Sequence, residues 1–227
     1  MAVKHLITFL STIVVPISAA PAEAAKGPLG TSFNFYAWGN GIPGLRLFYD
    51  DGAAVFTDYE TASSTPNLIP VALTFTTRQN SPVHPKMGYS FTAQPDLAAP
   101  MTPNAAMLSP PFTSATFFVG NRPSSESPDS HEVGFAPLDA ASTTAVRVGG
   151  FMIVDRRFSI VEDDGLVKSS VYCAFPRKDN PRIWEVKWNV TNDGERADGL
   201  PVTLRTGTYP KDTKAEFHFG TRCGTMI

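Results

Sequence analysis

Few side chains in this sequence have types and spacing that suggest chemistry, and the carboxylates come first. Asp50-Asp51-Gly52 and Asp163-Asp164-Gly165 are two copies of one acidic triplet. Clustered carboxylates suit a hard cation such as calcium, but the spaced oxygen ligands of a calcium loop are missing around both. Asp beside Gly is ordinary turn chemistry. Both triplets therefore read as hairpin turns, and no metal ligand is assigned. A retaining glycosidase needs two carboxyls about 5 Å apart. Some secreted β-sandwich glucanases carry them on one strand as E-x-D-x-x-E. Glu162 and Asp164 match the first half of that motif, but position 167 is Val. Glu185 and Glu216 fall on separate expected strands and are the only acid and base pair to nominate; lone strand glutamates are ordinarily solvated, so no catalytic residue is assigned.

Other chemistries lack their motifs. His84, His131 and His218 are scattered, with no His-Glu-x-x-His or close pair for zinc. Removing the signal peptide would not leave histidine first, as oxidative copper polysaccharide enzymes require. G-x-S-x-G, phosphate loops and dinucleotide fingerprints are missing, so no cofactor is expected. The net charge is −2 with no Lys/Arg block, which points away from nucleic acid and anionic membranes. Aromatic residues are the subtler candidates. Tyr36 and Trp38 share a strand with apolar residues of opposite parity, so they face away from that set. Outward aromatics can stack on sugar rings. The alternative is that both strand faces are covered, or that Trp38 tucks against the neighbouring glycine turn.

The elements that would hold these groups are short strands. Trp184, Val186, Trp188 and Val190 alternate with Glu185, Lys187, Asn189 and Thr191, the pattern of a half-buried strand. Thr31–Trp38, Leu45–Tyr49, Ala53–Thr57, Val71–Thr77, Ala115–Gly120, Arg157–Val161, Pro201–Thr206 and Ala215–Gly220 read similarly. A three-residue Asp50-Asp51-Gly52 loop would place Tyr49 opposite Ala53 and Leu47 opposite Val55. The second triplet would place Val161 opposite Val167. Glu60–Pro70 reads as a loop. Prolines 95, 100, 103, 110 and 111 mark 93–111 as a long irregular connection, and 121–130 is a second Pro/Ser-rich loop. About a dozen short strands joined by turns indicate an all-β fold: an antiparallel two-sheet β-sandwich, jelly-roll-like.

The ends and the cysteines set the compartment. Lys4 and His5 precede an apolar run, and Ala22-Glu23-Ala24 fits a processing site. Residues 1–24 read as a signal peptide, cleaved after Ala19 or Ala24, and 25–227 as one domain. The mature chain is expected to be secreted, extracellular and free of membrane. Cys173 and Cys223 are the only cysteines, and an even count in a secreted chain reads as a disulfide. Closing a loop of about 50 residues is worth about 4 kcal/mol on the chain-entropy view. Asn189-Val190-Thr191 is the one sequon without an intervening proline. Asn189 shares the parity of Glu185 and Lys187, so an N-linked glycan there would reach solvent.

Three segments carry a resemblance. FNFYAWGNGIPGLRLFYDDGAAVF resembles the opening of small secreted proteins of filamentous fungi, with their aromatic strand, Gly-rich turn and "LxLFYxDGxA" hairpin. VKSSVYCAFPRKDNPRIWEVKWN and DGLPVTLRT are similar to the C-terminal part of the same proteins. The resemblance covers both ends of the mature chain and leaves the Pro/Ser middle unmatched. It implies a fungal, extracellular setting and carries no biochemical role or site residues. Taken together, the expectation is a non-catalytic protein acting by surface recognition, with a cell-wall glycan or a host protein as partner. The alternative is a carbohydrate-active module, either glycan-binding or a divergent hydrolase or lyase. Peptide mapping of secreted protein without reduction is expected to recover Cys173 and Cys223 in one cross-linked peptide. Two alkylatable thiols would contradict the bridge.

Overall fold

The computed structural model describes residues 30–76, 89–120, 132–137, 146–161, 167–168, 172–188 and 199–207. The first strands are β1 (Ser32–Phe33), β2 (Phe35–Gly39), β3 (Ile42–Asp50) and β4 (Ala53–Thr57). Helix α1 (Tyr59–Ser64) precedes β5 (Ile69–Thr76) and β6 (Ser90–Pro95). Helix α2 (Ala105–Leu108) precedes β7 (Ala115–Gly120), β8 (Val133–Ala136) and β9 (Val146–Arg147). The chain continues through β10 (Phe151–Val154), β11 (Arg157–Val161), β12 (Val167–Lys168), β13 (Tyr172–Pro176), β14 (Trp184–Trp188) and β15 (Leu200–Thr206). The fold is all-β, and the strand pairings among the described residues are antiparallel.

The expected two-sheet sandwich is not what forms. Ten strands close into a barrel, in the order β2-β15-β13-β14-β4-β8-β7-β6-β5-β3 and back to β2, with the remaining strands added along it. Closure runs through β2 and β15, where Phe35–Gly39 pairs with Val202–Thr206. That contact joins segments far apart in the chain, so local alternation in the sequence cannot reveal it. Closure also satisfies backbone groups that open sheets would leave as sticky edges. The β3–β4 hairpin is the seam. β3 has β4 on one edge, with β2 and then β5 along the other. β4 has β3 on one edge, with β14 and β8 along the other.

The register of that hairpin differs from expectation by one residue. Asp50 pairs with Ala53, Tyr49 with Ala54, Phe48 with Val55 and Leu47 with Phe56. The loop is therefore the two residues Asp51-Gly52. Both have positive φ, 47° and 89°, as a type I′ turn requires. Its twist matches that of the paired strands, which a three-residue loop would need a bulge to achieve. Leu47 and Phe56 consequently enter the main core together, while Phe48 and Val55 face outward under α1. The second expected pairing holds, with Val161 opposite Val167. Its Asp-Asp-Gly triplet lies outside the described residues.

Phenylalanine fills the barrel. Phe35, Phe91, Phe117, Phe151 and Phe158 come from five strands and are at most 1% exposed. Their rings touch at centroid distances of 5.2–6.2 Å, mostly edge-on or tilted. Burying each contributes about 1.5–3 kcal/mol, and each aromatic pair about 0.5–1.5 kcal/mol more. On β14, Val186 and Trp188 are buried as the alternation implies. The segment Glu60–Pro70 is not a plain loop, because it holds most of α1 and the start of β5. The 93–111 connection likewise begins as the end of β6, pairing Pro95 with Val71, and contains α2. Proline is tolerated at 95 because it ends the strand.

The turn gives a direct stability test. Gly52→Ala is expected to cost about 1–2 kcal/mol, because an L side chain is strained in the left-handed region. Asp51→Asn should be close to neutral, since Asn-Gly is as well suited to this turn. Urea unfolding of both variants measures the difference; an unaffected Gly52→Ala would contradict the turn.

Candidate functional site

The outer layer that shapes the site is pinned by two capping residues. Asp58 caps α1, its Oδ1 accepting from the Thr61 N–H at 2.7 Å. Asn104 caps α2, accepting from the Met107 N–H at 3.0 Å. The Asn104 amide also donates to the carbonyls of Leu68 at 2.7 Å, Thr65 at 2.9 Å and Ala62 at 3.3 Å. One buried side chain thus ties the 96–111 connection to the end of α1. Beneath this layer Phe48, Val55, Ala62, Leu68 and Ile183 form a second apolar cluster outside the barrel.

A cleft of about 350 Å³ opens where this layer meets the β3–β4 turn, lined by Tyr49, Asp51, Asn67, Ile69, Ala106 and Pro111. Tyr49 and Ile69 pair with each other across β3 and β5. They share the parity of Leu47 and Val71, which point into the core. The cleft therefore sits at the mouth of the barrel, a common place for ligand sites. The Tyr49 ring is held by Phe112 at 4.5 Å and Phe135 at 5.7 Å. Burial pushes its hydroxyl pKa up, and Asp51 and Asp50 push it further, with the Gly52 backbone acting against them. Gly52 in turn accepts from the Phe135 N–H at 2.7 Å, fixing the turn to β8. Asp51 is exposed and makes no ion pair among the described residues.

The other described carboxylates near this layer are held by arginines. Arg46, 4% exposed, donates to Asp96 Oδ2 at 2.5 Å, Tyr59 Oη at 2.6 Å and Asn34 Oδ1 at 2.9 Å. Burial lowers its pKa, but Asp96 and Tyr59 outweigh this and leave it raised. Arg177 joins Asp50 to Glu185, its Nε donating to Glu185 Oε1 at 2.9 Å and its Nη1 to Asp50 Oδ2. Arg182 reaches Asp58 at 3.2 Å and Glu60 at 3.5 Å. Among the described residues no group of three or more His, Cys, Asp or Glu could hold a metal ion.

The residues singled out in the sequence are mostly not where a site would need them. Tyr36 is buried at 8% exposure beside Arg46 and Tyr59, so its ring is not presented for stacking. Trp38 is half-buried, and its indole lies against Gly44, leaving no room there for a Cβ. That is the tucked arrangement under the glycine turn. Glu185 serves Arg177, and its nominated partner Glu216 lies outside the described residues. So do Asn189, Cys223, Glu162, Asp164, His84, His131, His218 and residues 1–24. Cys173 is fully buried on the outward side of β13. Of the described acidic turn residues, Asp51 reaches the cleft and Asp50 does not line it. Two structural polar residues were missed: Arg46, flanked by Leu45 and Leu47, and Asn104, whose place before Ala-Ala-Met-Leu is an N-cap signal.

A scan of protein-family profiles finds no match to this chain, and no curated protein or solved structure matches it either.

The α1 cap yields a pH prediction. Burial raises the Asp58 pKa, but hydrogen bonds from Thr61 and the nearby Arg182 outweigh it and hold the carboxyl below its ordinary value. A depressed folded-state pKa contributes stability above the unfolded pKa that is lost as pH falls through the folded one. Asp58→Asn preserves the cap and should flatten the fall in melting temperature below about pH 4. An identical acid profile in the variant would contradict this role.

Proposed function

We propose that this is a secreted, non-catalytic protein that works by surface recognition in a fungal extracellular setting, on the wall or on a host. The observation that carries the reading is the Arg177 clamp. Glu185, the nominated carboxylate that can be placed, is bonded to the Arg177 Nε while the same guanidinium holds Asp50. A general acid or nucleophile must be free to change its protonation or bond to a sugar carbon. A carboxylate tied to a shared arginine supports the fold instead. The reading includes removal of residues 1–24, a Cys173–Cys223 bridge and a glycan on Asn189. No helix among the described residues is long and apolar enough to cross a membrane.

A carbohydrate-active module is the second reading, and the cleft at the barrel mouth favours its binding form. An aromatic ring, a carboxylate and a carboxamide converge there over an apolar floor. The recognition reading is tested by incubating purified protein with fungal and plant wall polysaccharides. Neither reducing-end release nor unsaturated-product absorbance is expected. Turnover that Glu185→Gln or Glu216→Gln abolishes would overturn it.

A further inference from the structure

We propose that the cleft at the barrel mouth binds one neutral sugar residue of a polysaccharide, deepening the recognition reading on which it rests. The apolar face of the pyranose lies toward the Tyr49 ring and Ile69, and its hydroxyls bond Asp51, Asn67 and the Tyr49 phenol.

Three features of the lining lead to this class of ligand. The first is hydrogen-bond balance. Each sugar hydroxyl both donates and accepts. The Asp51 carboxylate accepts only, and the Asn67 carboxamide does both. The Tyr49 phenol can both donate and accept. The second is shape. Tyr49 is partly exposed and is wedged by Phe112 and Phe135. Ile69 is fully buried behind it, and Ala106 and Pro111 form an apolar rim. A volume of about 350 Å³ lies at the small end of ligand sites. The third is charge. Among the described residues no Lys, Arg or His lines the cleft and Asp51 has no counter-ion. Phosphate, sulfated sugars and uronic acids are repelled by such a lining.

Preorganisation supports the same site. Asp51 stands on a turn whose φ is fixed in the left-handed region and whose neighbour Gly52 is bonded to β8. The opposite wall is held through Asn104. Neither wall needs to order on binding, which lowers the entropic cost for a ligand that makes few contacts.

The test is isothermal titration of the full secreted chain with hexaoses of β-1,4-glucose, β-1,3-glucose, mannose and N-acetylglucosamine at millimolar concentrations. Glucosamine hexaose serves as the cationic comparison. Asp51→Asn keeps the turn, because Asn-Gly suits it equally, and Asn67→Ala changes an exposed side chain. Asp51→Asn trades a charge-assisted hydrogen bond for a neutral one and Asn67→Ala removes one, so each should weaken binding of at least one neutral hexaose about tenfold. The melting temperature should stay unchanged. No neutral hexaose binding, or binding that both variants leave intact, overturns the proposal. Binding of glucosamine hexaose alone, lost in Asp51→Asn and with added salt, overturns the neutral-sugar assignment while the recognition reading stands. Release of shorter sugars would instead overturn the recognition reading.

Discussion

The β3–β4 hairpin register is the constraint on which the rest of this structure depends. Side chains alternate faces along a strand, so a slip of one residue would exchange the two sets. Leu47 and Phe56 would leave the phenylalanine core, and Phe48 and Val55 would enter it. The turn prevents this because Asp51 and Gly52 both hold positive φ. The same register sets which strands can join. β2 and β5 share one edge of β3, while β14 and β8 share the outer edge of β4. Two circuits of strands therefore close through a single ribbon, one through β2, β15, β13 and β14, the other through β5, β6, β7 and β8.

Charge reinforces what the register sets up. Arg46 is opposite Thr57 on the outward face, and its guanidinium draws in Asp96 from the far end of β6, Asn34 before β2 and Tyr59 from α1. Arg177 ties Asp50, at the tip of β3, to Glu185 on β14. Each guanidinium gathers distant parts of the chain around the seam. Its fork of five donors suits that task better than an ammonium would. The partly buried Arg46–Asp96 pair gives specificity of position more than net stability, because desolvation offsets much of the attraction. The strands, the outer helices and the cleft thus share one set of anchors.

Much of the β-structure was legible in the sequence because burial leaves a two-residue period. β14, β15, β5 and β7 lie where alternating or continuous apolar residues place them. Closure was not legible, since pairing Phe35 with Thr206 and Gly39 with Val202 joins segments far apart in the chain. The hairpin slip shows a second limit. Asp50-Asp51-Gly52 fits either a two- or a three-residue loop, and only the pairing decides between them. The candidate site was less legible still. Tyr36 and Trp38 have outward parity, but outward is not exposed when α1 and the glycine turn cover that face. Tyr49 carries inward parity and became accessible only because β3 ends there, at the barrel mouth.

Recognition at that mouth follows from the same geometry, since the turn that fixes the register also places Asp51 beside Tyr49. The hairpin is thus both the structural seam and the wall of the candidate site. Its register is directly measurable by NMR. A two-residue turn makes Asp50–Ala53 a hydrogen-bonded pair, so Tyr49–Ala54 and Leu47–Phe56 are the close, non-hydrogen-bonded pairs. Strong Hα–Hα cross-peaks are expected between Tyr49 and Ala54 and between Leu47 and Phe56. Strong cross-peaks linking Phe48 with Ala54 and Arg46 with Phe56 in their place, the close pairs of a three-residue loop, would contradict the register, and with it the core, the seam and the cleft.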